Sequence, residues 1–163
     1  MKRLASVIFM AAFLFTFSSA TNAQNIKAGG GLAYSTNIGT LGITLNGIYK
    51  YDKKIDIAPS FVYYFTKDYV SWKELNLDGH YMFMKKNDMD IYALGGLAVT
   101  IVSVDFPSSW LGSDFSYSET YFGINLGAGA VKNFGKFDVF AEMKYTIGTA
   151  DHIALTGGVL YRL

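Results

Sequence analysis

The segment Thr156-Gly157-Gly158-Val159-Leu160-Tyr161-Arg162-Leu163 alternates along its whole length between two rows of side chains. One row holds Gly157, Val159, Tyr161 and Leu163, and the other holds Thr156, Gly158, Leu160 and Arg162. Residues two apart point to the same face of a β-strand. The segment therefore predicts a strand with one apolar row, and the alternation continues upstream to Ile153.

The opposite end of the chain has the three regions of a secretory signal peptide. Met1-Lys2-Arg3 is basic, residues 4–17 are apolar, and residues 18–23 are small and polar. We therefore predict a cleaved signal peptide at residues 1–23 and a mature chain that begins at Gln24. A single transmembrane anchor is the alternative, but the apolar run is short for a spanning helix. The chain has no cysteine, so the exported protein has no disulfides.

The composition of the mature chain points away from nucleic acid and toward strands. Without Lys2 and Arg3 the 14 basic residues fall to 12, against 13 acidic residues, so there is no basic field to attract nucleic acid. The chain has 17 Gly, 12 Tyr and 13 Phe but only 2 Pro. Aromatic residues at this density favour strands and membrane interfaces.

Period-two alternation predicts an all-β domain at residues 24–163, an eight-stranded antiparallel up-and-down β-barrel. The predicted strands are Ile26–Ser35, Leu41–Tyr51, Ile55–Phe65, Ser71–Met84, Met89–Val102, Thr120–Val131, Phe137–Ile147 and Ile153–Leu163. Short turns alternate with longer loops, the longest being Ser103–Glu119, as in membrane barrels. Pro59 falls within the third strand, and either a bulge or a strand start near Ser60 would accommodate it.

The two rows of each strand favour a barrel that faces lipid. In the sixth strand Phe122, Ile124 and Leu126 oppose a row that contains Gly127 and Gly129. A soluble barrel would expose those glycines to water, whereas in a membrane barrel they make room in a narrow lumen. Eight strands leave space only for side chains inside, so the polar rows predict a packed lumen network. Its candidate charges are Lys27, Lys50, Asp56, Glu74, Asp78, His80, Glu119, Glu142, Lys144 and Arg162.

The last strand also carries a spaced motif: Thr156, Gly158, Tyr161 and Leu163 follow the order polar-x-Gly-x-x-aromatic-x-hydrophobic. This motif resembles the C-terminal insertion signal of bacterial outer-membrane barrels, in which the last residue is usually Phe where this chain has Leu163. The whole mature chain resembles the small OmpA and OmpX type of transmembrane barrel. The resemblance implies a place in the outer membrane with both termini in the periplasm. It implies as partners the membrane lipid, lipopolysaccharide and, through the C-terminal strand, the barrel-assembly machinery.

Residues for catalysis are few. Some barrels of this type modify lipid A with a histidine, a serine and an acidic residue. His80 lies on the inward row beside Asp78, and His152 lies at the last loop beside Asp151, with no serine suitably placed after it. The chain has no nucleotide or phosphate motif, and we predict no cofactor and no metal. We therefore predict that the chain is not an enzyme.

The aromatic loop after the fifth strand is the candidate extracellular interaction site. Its aromatic residues include Phe106, Trp110, Phe115 and Tyr117. Exposed aromatics can hold a partner, or they can sit at the headgroup level of the membrane. The sequence thus favours a structural or surface-interaction protein with a filled lumen. Three alternatives stay open: a narrow porin-like channel, a lipid A-modifying enzyme centred on His152, and a soluble lipocalin-like periplasmic binder.

Overall fold

The structure is a computed structural model and describes residues 25–106 and 115–163. Eight antiparallel strands each pair with the next, and the last pairs with the first to close the barrel. The strands are β1 (Ile26–Ser35), β2 (Thr40–Lys50), β3 (Ile55–Lys67), β4 (Val70–Lys86), β5 (Met89–Phe106), β6 (Phe115–Phe134), β7 (Phe137–Gly148) and β8 (His152–Arg162). The predicted fold class is confirmed. The predicted signal peptide, residues 1–23, lies outside the described residues and stays a prediction.

The barrel closes between its first and last strands, where Lys27 pairs with Arg162 and Ser35 pairs with Ala154. Both described ends of the chain thus lie at one end of the barrel, called here the termini end, and the other is called the loop end. At the termini end Asn87 and Asp88 turn with φ of 50° and 60°, as a two-residue hairpin requires. Gly135 turns at the same end with φ of 83°.

The outer surface of the barrel is apolar, as the alternation predicted. Phe122 is 77% exposed, and the outward rows of β4, β6 and β8 contain leucine, isoleucine and valine at mid-height. Exposed aromatic side chains ring both ends: Tyr49, Tyr81, Phe134, Phe137 and Tyr161 near the termini, and Tyr34, Phe65, Tyr69 and Tyr145 near the loops. An aliphatic band between two aromatic girdles is the exterior of a barrel that spans a bilayer. The soluble lipocalin-like alternative is therefore wrong, because its apolar rows would face inward. None of the described residues belongs to a helix long and apolar enough to cross a membrane.

The longest connection is shorter than predicted. The sequence indicated a loop at Ser103–Glu119, but β5 continues to Phe106 and β6 begins at Phe115, with these two residues in register. The serines of this stretch lie opposite one another as Ser103 and Ser118, whose hydroxyls are 3.2 Å apart. Cross-strand pairing thus continues through residues that resemble a loop in composition. Trp110 lies outside the described residues.

Pro59 is accommodated by a break in one ladder. It pairs with Leu77 on β4, whereas the β2–β3 pairing stops at Asn46↔Ser60 and resumes at Tyr49↔Ile57 without a change of register. The Pro59 ring lies against Gly47, where a β-carbon would be 3.3 Å from its Cγ. Proline has no N–H to donate, so the missing bonds fall on the β2 side. Neither a bulge nor a later strand start is needed.

Candidate functional site

A belt of polar side chains crosses the lumen near mid-height. We call it the lumen belt; its members are Glu74, Asn76 and Asp78 of β4, Asn125 of β6, Lys144 and Thr146 of β7, and His152 of β8. All lie on inward rows, because period-two alternation places every second residue of each strand in the lumen. All seven side chains are buried. Buried polar groups are stable only when they are hydrogen-bonded or paired, so their contacts decide the character of the lumen.

Asn125 is the centre of the lumen belt. Its amide donates to Asn76 Oδ1 and Asp78 Oδ1, at 2.8 Å each. Its carbonyl oxygen accepts a 2.9 Å hydrogen bond from the Thr146 hydroxyl. One neutral side chain thereby links three strands, β4, β6 and β7. A fully satisfied network of this kind rigidifies the interior.

Glu74 is the most heavily engaged acid of the belt. Its Oε1 accepts a 2.8 Å hydrogen bond from Asn76 and lies 3.8 Å from Lys144 Nζ. Its Oε2 lies 3.0 Å from His152 Nε2, and neither atom has a hydrogen bond to another described residue, so the two atoms face each other and form an ion pair when the histidine is protonated. Lys144 Nζ also donates to Asp78 Oδ2 at 3.3 Å. Opposite charges are therefore interleaved, as burial requires.

A second polar cluster lies nearer the termini end and contains an aromatic stack. The rings of His80 and Tyr92 are stacked with their centroids 4.3 Å apart. The Tyr92 hydroxyl donates to Glu142 Oε2 at 3.0 Å, and His80 Nε2 lies 3.7 Å from the same oxygen. The cluster thus joins β4, β5 and β7 below the lumen belt.

The termini end is held by a third ionic group around Asp138. Lys27 of β1 contacts this carboxylate directly, Asn133 donates to it at 2.8 Å, and Arg162 of β8 lies 3.8 Å away. Asp138 is 2% exposed. This group links β7 to the two strands that close the barrel, so it stabilises the closure.

The loop end of the lumen is closed by an apolar cap. Ala33, Val62, Tyr64 and Trp72 are buried together, and the His152 ring packs edge-on against both aromatic rings. The cap lies directly above the lumen belt and contacts it through His152. Buried side chains of the belt and the cap thus occupy the lumen at this end.

The structure places the ten predicted lumen residues in different surroundings. Glu74, Asp78 and Lys144 meet in the lumen belt, His80 and Glu142 in the cluster below it, and Lys27 and Arg162 at the Asp138 group. Lys50 and Asp56 are register partners on β2 and β3 but form no ion pair with each other or with other described residues. Glu119 lies outside these groups, since β6 pairs with β7 only from Gly123 onward.

Several network members were not among the predicted residues. Asn76, Asn125, Thr146 and Asp138 stand on inward rows that the alternation identified, but the predicted network contained neither the amides and hydroxyls of those rows nor Asp138. His152 was expected at a loop; it begins β8 and is 3% exposed. Complete polar rows, with amides and hydroxyls counted beside charges, were the signal that would have found them.

Beyond the lumen, β6 has a free edge. Residues 115–122 pair with β5, and on their other side they have no strand partner among the described residues. We call this stretch the β6 edge. Tyr117 and Tyr121 each donate a hydrogen bond to Glu119 along it. These bonds, Tyr117 first, lower the pKa of the Glu119 carboxyl, and the bond to Glu119 raises the pKa of each tyrosine.

The chemistry of the described residues is that of packing and ion pairing. None of them forms a group of three His, Cys, Asp or Glu arranged to hold a metal ion. Both ring nitrogens of His152 are engaged, Nε2 by Glu74 and Nδ1 by the Ala150 carbonyl at 3.1 Å. A histidine held in this way inside a capped lumen has no access to a lipid at the outer surface.

No family model matches the sequence, and no curated protein matches it. Solved structures do match its fold. The chain is similar to the N-terminal β-barrel domain of OprF from Pseudomonas aeruginosa (TM-score 0.62, 20% identity, 85% of this chain and 97% of that one). It is also similar to Neisserial surface protein A (TM-score 0.64, 18% identity, 85% and 96%). A third match is Ail, the attachment invasion locus protein of Yersinia pestis, in complex with the heparin analogue sucrose octasulfate (TM-score 0.59, 18% identity, 85% and 96%). The chain therefore has the fold of the eight-stranded outer-membrane β-barrels.

Proposed function

We propose that this chain is an outer-membrane β-barrel protein with a structural or surface-interaction role and a non-conducting lumen. The observation that carries the proposal is the lumen belt under its apolar cap: seven buried polar side chains bind one another across the lumen. Eight-stranded barrels have interiors that side chains fill. What the protein presents to its surroundings is then its outer surface and its loop end.

The proposed orientation follows from the two ends of the barrel. The chain is exported by the predicted signal peptide and inserts with both termini in the periplasm, as barrels with an even strand number do. Short turns then face the periplasm, and the β6 edge stands at the cell surface. The aromatic girdles contact the headgroups of lipid and lipopolysaccharide, which are the first proposed partners.

The proposed interaction site is the β6 edge. An unpaired strand edge offers backbone donors and acceptors to an extended segment of a partner, and Tyr117 supplies exposed aromatic surface beside it. A sulfated ligand such as the one bound to Ail fits this edge poorly. The charge that the described residues place on the edge is the carboxylate of Glu119, which has the same sign as sulfate. The edge instead suits a protein partner with an extended, uncharged or basic segment.

Planar-bilayer recording tests the sealed lumen. The refolded protein is expected to give no discrete conductance steps, and the variant Lys144→Gln is expected to behave in the same way. Steps whose ion selectivity changes in Lys144→Gln would establish the narrow-channel alternative.

Adhesion of cells that carry the protein tests the surface role. Tyr117→Ser is expected to reduce adhesion, and Tyr145→Ser, on the outer face of β7, is the matched control.

The proposal that the chain is not an enzyme rests on His152. The histidine is buried with both nitrogens engaged, so it is not available as a base for lipid A chemistry. Mass spectra of lipid A from cells with and without the protein are expected to be identical. Lipid A that lacks an acyl chain only in cells whose protein keeps His152 would reverse this conclusion.

The final proposed partner is the barrel-assembly machinery, which would contact the C-terminal strand. Thr156 and Gly158 of the motif lie on the inward row of β8, whereas Tyr161 and Leu163 are exposed on the outer face. Pulse-labelled assembly in cells tests this: Leu163→Phe is expected to assemble at least as fast as the wild type, and Tyr161→Ser more slowly.

A further inference from the structure

The lumen holds two adjoining spaces toward the termini end, which together are called here the chamber. An inner cavity of about 40 Å³ lies below the lumen belt, with Asn46, His80, Tyr92 and Glu142 in its wall. A vestibule of about 780 Å³ lies outside it, at the mouth formed by the turns after β2 and β4. The two spaces share Lys27, Asp56, Met82 and Val131, so they adjoin one another. Among the described residues, the lumen belt and the apolar cap lie on the far side of this chamber.

Asp56 stands at the junction of the two spaces without a partner. Its side chain is 6% exposed, and it lines both the inner cavity and the vestibule. No hydrogen bond or ion pair joins its carboxylate to any described residue; His80 and Lys50 are its register neighbours but do not pair with it. Its oxygens keep contact with the solvent of the vestibule, so they are free to accept hydrogen bonds from a bound cationic donor.

The inner cavity has a second unsatisfied group. The Nδ2 of Asn46 is buried and has no hydrogen-bond partner. Asn46 belongs to the same wall as Asp56, on the neighbouring strand. A small head that carries donors would satisfy Asp56, and a bound water would accept from the Asn46 amide. A space of about 40 Å³ admits such a head but not a whole ligand.

The vestibule has the opposite charge preference. Lys27, Lys50, Lys53, Lys54 and Lys85 line it, against Asp52, Asp56 and Asp90. Lys27 is paired with Asp138, and Lys85 Nζ lies 3.8 Å from Asp90 Oδ2. Lys50, by contrast, forms no ion pair with the described residues. This excess of positive charge repels a free cation on its way to Asp56 and attracts an anion. A ligand that carries both charges satisfies both regions.

From this arrangement we propose that the chamber binds a small zwitterion, with its primary ammonium on Asp56 and its acid group beside Lys50 at the lysine-lined mouth. The volume of the vestibule is that of a small-molecule pocket. Two sources supply this chemistry: the phosphoethanolamine head of a phospholipid, and a free amino acid or short peptide. The site is independent of the β6 edge and of the surface role proposed above.

Calorimetric titration of the refolded full chain tests the proposal. The protein is held in a maltoside detergent, whose uncharged head does not compete for the site. The probes are phosphoethanolamine, glycine and Ala-Ala, with ethanolamine and inorganic phosphate as the separated halves. At least one zwitterion is expected to bind about tenfold more tightly than either half. Preference for phosphoethanolamine identifies a lipid head, and preference for glycine or Ala-Ala a free amino acid or peptide.

Variants assign the two halves of the site. Asp56→Asn keeps the shape of the side chain and is expected to weaken zwitterion binding about tenfold or more. Lys50→Gln is expected to weaken it too, while leaving the affinity for ethanolamine unchanged or higher, because one repelling charge is removed. Asp90→Asn, which changes a half-buried carboxylate in the wall of the same vestibule, is the matched control and is expected to change affinity less than about threefold. Failure of all three zwitterions to bind the folded wild type, or equal binding by Asp56→Asn, overturns the proposal.

Discussion

Asn125 on β6 donates a 2.8 Å hydrogen bond to Asp78 on β4, although β5 lies between the two strands. The bond passes over Gly96 of β5, where an added β-carbon would collide with Asp78 Oδ1 and with the Leu77 carbonyl. A side chain at this position would therefore push Asp78 away from its partner. The absence of a side chain on one strand is thus what allows its two neighbours to bind each other.

Loss of the Asn125 amide is expected to destabilise the barrel. Asn125→Leu removes the amide that donates to Asn76 and Asp78 and the oxygen that accepts from Thr146. The buried Asp78 carboxylate then lacks one hydrogen bond. We expect a loss of about 3 kcal/mol in the free energy of unfolding. Urea unfolding in lipid vesicles, followed by the gel shift between unheated and boiled samples, measures it. Thr120→Ala, on the outer face of the same strand, is expected to stay within about 0.5 kcal/mol of the wild type.

Two adjacent glycines of β5 offer a matched test of the lumen packing. Gly96→Ala places a methyl group against Asp78 and is expected to cost about 1–3 kcal/mol. Gly95→Ala points outward and meets its nearest atoms at 3.8 Å, so its effect is expected to stay below about 1 kcal/mol. The same unfolding assay compares the two. Equal effects would mean that the facing of β5 is misassigned.

On the outer face of β6, the free-energy cost of a charged substitution is expected to rise with its depth in the bilayer. Leu126→Arg places a guanidinium on the outer surface near mid-height, where the leucine is 52% exposed, and is expected to cost about 2–4 kcal/mol. Phe134→Arg, at the termini end of the same strand, is expected to cost about 0–1 kcal/mol. Folding yields in vesicles separate the two variants. Normal folding of Leu126→Arg would contradict the lipid-facing assignment.

Acidification is expected to loosen the β6 edge. The pKa of the Glu119 carboxyl is lowered in the folded protein because Tyr117 and Tyr121 donate to its charged form. The stabilisation is present above the ordinary glutamate pKa and is lost as the pH falls through the lowered value. Carboxyl NMR titration measures the shift, and Tyr117→Phe is expected to move the pKa of Glu119 back toward its ordinary value. An unchanged pKa in Tyr117→Phe would mean that the bond is not formed.

Alternation along the strands was enough to predict the barrel, because every second residue of a lipid-facing strand must be apolar. The rows of β6 and β7, with Leu126 and Met143 outside and Asn125 and Lys144 inside, lie as predicted. Strand ends were harder to predict. Ser103 and Ser118 resemble loop residues singly, and only their cross-strand contact shows that β5 and β6 continue.

The partners of each lumen residue could not be predicted from the rows alone. Which inward residues meet depends on the stagger between strands and on gaps such as Gly96, and a single sequence encodes neither directly. Lys144 illustrates this: its nearest acids, Glu74 and Asp78, lie on β4, three strands away. Conversely, Lys50 and Asp56 are adjacent in register but do not pair.

The interrupted ladder at Pro59 gives the cylinder a seam. A closed barrel has no free rim from which to unzip, so separation of its wall must begin with a tear between two neighbouring strands. The separation is expected to start where the hydrogen-bonded ladder is already incomplete, between Gly47 of β2 and Pro59 of β3. Hydrogen exchange is therefore expected to be faster at residues 47–48 of β2, which have no partner on β3, than at Leu45 of the same strand. Pro59 would thus determine where the separation of the barrel wall begins.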